Sequence, residues 1–140
     1  MSRGRCFNGF ALVTILLCAP MTNAGAQEFV NNWNTGACRL TDSATINVSQ
    51  PQHMSRLELW YNWQPNESSV GYTVSFNGQQ IGTGTLKRAD CDPYQAAWCI
   101  ARDTPEAEMS VGTYTFRTAH PRVCQNAGSG GQGFIRAYTN

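Results

Sequence analysis

The chain has 140 residues, with ten basic and nine acidic side chains and a net charge of +1. So small a charge gives no electrostatic basis for binding nucleic acid or an anionic membrane surface. The length fits one domain with a sizeable hydrophobic core.

In chain order, Arg3 and Arg5 come first, followed by the apolar run Phe10–Ala19 and small residues ending Ala24-Gly25-Ala26. A positive start, an apolar stretch of about ten residues and an A-x-A site make residues 1–26 a secretory signal peptide, cleaved after Ala26. The run is too short to span a membrane, which takes about 20 residues, so no membrane insertion is expected after cleavage. The large Leu17 before Cys18 disfavours a lipid anchor. Loss of Arg3 and Arg5 leaves eight basic against nine acidic residues, a net charge of −1. The expected location is periplasmic or secreted, where thiols oxidise.

Cys38, Cys91, Cys99 and Cys124 lie beyond the cleavage site. An even count predicts two disulfides, with three possible connectivities. The favoured pairing is Cys91–Cys99, closing a short loop, and Cys38–Cys124, tying the start of the domain to its end. The chain-entropy model gives about 2.6 kcal/mol for the first and about 4.6 kcal/mol for the second. There is no C-x-x-C pair, and His53 and His120 lack ligand spacing, so no metal or other cofactor is expected.

Residues 27–43 are rich in Asn and read as an irregular N-terminal segment around Trp33. Residues 44–140 read as a single β-sandwich domain, built from short alternating runs broken by Gly, Pro, Asn and Ser. The runs predict about seven strands: 44–48, 56–63, 70–76, 79–86, 97–102, 113–118 and 133–138. Phe76-Asn77-Gly78-Gln79 carries the Asn-Gly of a type I′ hairpin turn, setting Val74 opposite Ile81 and Thr73 opposite Gly82. Closure of the preceding loop, Gln64 to Ser69, would pair Trp63 with Val70, Tyr61 with Tyr72, Leu59 with Val74 and Leu57 with Phe76, all on one face.

The fold class is therefore all-β, an antiparallel sandwich of immunoglobulin-like or jelly-roll-like type, with a closed barrel as the other solution. Gly112 followed by Thr113-Tyr-Thr-Phe-Arg-Thr118 resembles a late strand of immunoglobulin-like sandwiches, although the Cys…Trp…Cys spacing of a true immunoglobulin domain is absent.

If Leu57, Leu59, Tyr61 and Trp63 point inward, Glu58, Trp60 and Asn62 point outward. In the register above, Trp60 lies across from Thr73, with Gln80 on the next strand. A large indole among small and polar residues is the kind of surface on which sugars stack, unless the Trp33 segment folds over it. A second feature is Asp90-Cys-Asp-Pro-Tyr-Gln-Ala-Ala-Trp-Cys99. A disulfide there would hold Tyr94, Gln95 and Trp98 on a constrained loop that loses little entropy on binding. Asp90 and Asp92 read as turn formers before Pro93.

Signals for catalysis are sparse. His53 and His120 each lie beside a proline in apparent turns, Glu106 and Glu108 read as a solvated pair, and there is no nucleophile motif. No catalytic residue is assigned, and a hydrolase using His120 or Glu106 and Glu108 ranks last. Asn47-Val-Ser49 and Asn66-Glu-Ser68 match the glycosylation acceptor only as short, common patterns. The expectation is an exported binding module, monomeric or weakly oligomeric. It would recognise a glycan or cell-wall saccharide through Trp60, Thr73, Gln80, Tyr94, Gln95 and Trp98. The alternative is an envelope protein as partner, for instance a secreted hydrolase that the module inhibits.

Overall fold

Alternation of apolar and polar residues at a period of two puts one face of each strand inside and the other in water, and this pattern governs most of the chain from Ser43 onward. The computed structural model describes residues 25–140, so the signal-peptide reading lies outside the described residues except at Gly25 and Ala26. Twelve strands form: β1 (Gln27–Asn31), β2 (Arg39–Thr41), β3 (Ser43–Val48), β4 (Gln52–Met54), β5 (Arg56–Asn62), β6 (Ser69–Phe76), β7 (Gln79–Cys91), β8 (Trp98–Asp103), β9 (Ala107–Met109), β10 (Gly112–Thr118), β11 (Val123–Gln125) and β12 (Ile135–Thr139). The all-β antiparallel class stands, with more strands than the seven expected. Five are additional: β1, β2, β4, β9 and β11. Two of these run through the segment 27–43, where irregular chain was expected.

The main sheet runs β1-β12-β5-β8-β7-β6-β10-β3, with β11 bridging β5 and β2, while β4 and β9 form a separate ribbon. The main sheet curls into a nearly closed barrel. Its seam lies where the Gly133 N–H donates to the Ser43 carbonyl at 3.0 Å. A side chain at 133 would not fit there, because a Cβ would sit 2.5 Å from that same oxygen. Ile46, Leu57, Leu59, Tyr61, Trp63, Leu86, Phe116 and Ile135 fill the interior. Both disulfides, Cys38–Cys124 and Cys91–Cys99, are formed. Among the described residues, no helix is long and apolar enough to cross a membrane.

The inward set of β5 is as expected, but its partner strand is not. Leu59 pairs with Ala101 of β8 and Ile135 of β12, and Tyr61 pairs with Cys99. The physical reason lies in β7, which continues past Leu86 to Cys91 and is bonded there to β8. With β7 on one edge of β6 and β10 on the other, β8 and not β6 lies beside β5. The loop after β5 therefore crosses the end of β7, where Arg88 donates to the Gln64 and Glu67 carbonyls at 3.3 and 3.4 Å.

The β6–β7 turn is as expected: Asn77 and Gly78 both have positive φ, 47° and 86°. Beyond it a bulge shifts the register, so that Val74 faces Gly82 and Thr73 faces Thr83. Ile81 becomes the extra residue and is exposed. A bulge leaves one residue unpaired and sharpens the twist, which a sheet needs if it is to close on itself.

Candidate functional site

The even-numbered residues of β5 line the outside of the sheet, and three neighbouring segments bring aromatic groups to them. On β8, Ile100 pairs with Trp60, and Trp98 pairs with Asn62. On the side of β12, the Trp60 N–H donates to the Phe134 carbonyl at 3.4 Å. The third segment follows β1, where asparagine side chains act as clips. Asn32 Nδ2 donates to the Gly133 carbonyl at 2.9 Å, while its Oδ1 accepts from the Ile135 N–H at 2.7 Å. Asn34 and Asn126 exchange two amide bonds, at 2.9 and 2.7 Å. Between these clips, Trp33 is laid across the sheet.

The indoles form a row. Trp33 and Trp60 centroids are 5.5 Å apart with planes at 50°, and those of Trp60 and Trp98 are 6.2 Å apart at 17°. Trp33 also stacks on Phe134 at 6.5 Å. All three spacings fall in the favourable range for aromatic pairs. Beside the row opens a cleft of about 580 Å³, lined by Trp33, Trp60, Trp98 and Phe134, by Asn34–Cys38, and by Asp92 and Gln95. That volume is typical of small-molecule sites.

One wall of the cleft is the disulfide-closed loop. Asp92 Oδ1 accepts from the Tyr94 and Gln95 N–H groups at 2.7 and 3.1 Å. The Asp92 N–H donates to the Trp98 carbonyl at 2.8 Å, and the Trp98 N–H to the Gln95 carbonyl at 2.9 Å. The carboxylate thus builds the turn, as expected, and these bonds fix the orientation of Gln95 and Trp98.

Of the residues singled out from the sequence, Trp60, Gln95 and Trp98 come together in the cleft. Tyr94 lies on the same loop but outside the lining, 94% exposed. Thr73 and Gln80 lie elsewhere: Thr73 pairs with Thr83 and Arg117, and Gln80 with Ser75. Placing them beside Trp60 followed from the mistaken β5–β6 pairing. For Trp33 the sequence suggests only a cover for this face. It does fold against Trp60, yet it leaves the side toward Trp98 open.

A buried ionic cluster props up this arrangement from below. Glu58, 2% exposed, meets Arg102 at 2.7 Å, Arg136 at 3.0 Å and Arg56 at 3.8 Å. The Arg136 guanidinium lies 3.6 Å over the Trp33 ring, and that of Arg56 3.9 Å over Tyr138. Burial alone would lower the Arg102 pKa, but its bonds to Glu58 and Asp90 outweigh burial and raise it. Asp90 therefore serves as a partner of Arg102, at 3.3 Å, in addition to its place beside the turn.

Away from the cleft, His53 lies in β4 rather than in a turn. Its Nε2 is 2.6 Å from Glu106 and its Nδ1 2.7 Å from Glu108. These two carboxylates, expected in a solvated turn, raise its pKa through those bonds. With both ring nitrogens engaged, His53 has no free position from which to act on a substrate. His120 is remote, beside Leu40, Pro121 and Arg122. Among the described residues, no group of three His, Cys, Asp or Glu is arranged to hold a metal ion. Comparison of the chain with protein-family models, curated proteins and solved structures gives no match.

Proposed function

We propose that the protein is an exported carbohydrate-binding module that takes a short stretch of glycan into the tryptophan-lined cleft. The observation that carries this reading is the row Trp33–Trp60–Trp98 along an open cleft. Sugar rings present apolar C–H faces that stack on indoles, while their hydroxyls need fixed polar partners. Gln95 and Asp92 in the lining supply such partners. The disulfide and the Asx turn hold Trp98 before any ligand arrives, so little ordering entropy is lost on binding.

Titration with a panel of cell-wall and plant oligosaccharides, followed by tryptophan fluorescence, tests the reading. Binding is expected to shift the emission, and Trp98→Ala should weaken it by at least about tenfold, roughly the worth of one buried aromatic contact. A panel with no response, or equal affinity in Trp98→Ala, would refute the assignment. A second reading rests on Tyr94, whose ring stands almost fully in water at the tip of the same rigid loop. Such a residue suits a protein partner, and under that reading Tyr94→Ala abolishes capture of an envelope protein while saccharide titrations are silent.

A further inference from the structure

Building on the carbohydrate reading, we infer that the cleft selects amino sugars carrying a free ammonium group, and that Asp92 is the residue that selects them. Among the residues lining the cleft, Asp92 is the only charged one. Its Oδ1 is committed to two backbone N–H groups, whereas Oδ2 has no hydrogen-bond partner among the described residues. A carboxylate accepts but never donates, so this oxygen rewards a ligand donor, most of all a charged one. The indoles act in the same sense, because the negative face of each ring attracts a cation and repels an anion.

The nearby arginines lie outside the lining. Arg136 lies over Trp33 and shares Glu58 with Arg102 and Arg56, and Asp90 is paired with Arg102. Arg88 spends its guanidinium on the Gln64, Glu67 and Ala96 carbonyls. Within the lining itself the one charge is the Asp92 carboxylate, beside the indoles of Trp60 and Trp98. Uronic acids meet repulsion there, N-acetylated sugars meet a neutral donor's welcome, and protonated amino sugars meet the full complement.

The experiment compares β-1,4-linked glucosamine oligomers, their fully N-acetylated counterparts and oligogalacturonate, each titrated below the pKa of the amine. Wild-type protein is expected to bind the glucosamine oligomer about tenfold or more tighter than the acetylated one, with galacturonate weakest. Asp92→Asn keeps the Oδ1 acceptor that builds the turn, so the loop is retained and only the charge is lost. This variant should remove the tenfold preference, so that the two oligomers bind with similar affinity. Added salt should weaken glucosamine binding in the wild type alone. Equal affinity for the two oligomers in the wild type, or a preference that survives Asp92→Asn, overturns the selectivity while leaving saccharide binding intact. Failure of all three to bind overturns the carbohydrate reading itself.

Discussion

Glu58→Gln changes one atom of the side chain and removes the carboxylate that three arginines share beside the indole row. In the wild type a carboxylate that is 2% exposed lies within 2.7 to 3.8 Å of three guanidinium groups, each itself a quarter to a third exposed. Breaking a fully buried ion pair costs about 3–5 kcal/mol, and a surface pair contributes about 0–1 kcal/mol. Burial of one partner and partial hydration of the others place this change between them, at about 2–3 kcal/mol. At about 1–3 kcal/mol per molar urea for a small domain, the unfolding midpoint should fall by roughly 1 M.

Urea titration followed by both tryptophan emission and far-UV circular dichroism measures this. Coincident transitions license the two-state treatment. Because the carboxylate is buried, the difference should persist at about 0.5 M salt, where exposed pairs are screened. A midpoint shift under about 0.2 M, or one that vanishes in salt, would show that Glu58 behaves as a surface charge.

Three further changes probe the rest of the fold. Gly133→Ala puts a Cβ 2.5 Å from the Ser43 carbonyl, a backbone atom that cannot rotate aside. It should cost about 1–3 kcal/mol, read as a lowered melting temperature. Gly71→Ala, which meets only the Gly84 carbonyl at 4.0 Å, should be neutral or slightly stabilising, and equal losses in both variants would refute the seam. At the β4–β9 ribbon the His53 pKa is raised, so its ion pairs stabilise fully below the ordinary histidine value near 6.5 and lose this effect as pH rises through the raised value. Melting temperature should therefore fall as pH rises from about 6.5 through the raised value in the wild type and stay level in His53→Gln. Parallel profiles would assign the pH dependence elsewhere.

The sequence discloses the inside of this barrel better than its wiring. Burial of Leu57, Leu59, Tyr61 and Trp63 follows from alternation alone, because parity does not depend on which strand lies alongside. The partner of β5 does depend on that, and it is settled by pairings distant in sequence: β7 and β10 take both edges of β6, leaving β8 and β12 to flank β5. Three-residue strands such as β4, β9 and β11 are too short to show a period. Trp33 carried a visible signal, a large indole in a polar stretch, but its role rests on asparagine clips whose partners, Gly133, Ile135 and Asn126, lie about a hundred residues away. No local pattern encodes a bond over that distance.

Each wall of the cleft ends in a disulfide. The Asn34–Cys38 wall is fastened to β11 through Cys124, and the Asp92–Trp98 wall is closed by Cys91–Cys99. Only the floor, at Trp60, belongs to the sheet alone. On the carbohydrate reading, loss of either bond would loosen one wall of the cleft while leaving its floor in place.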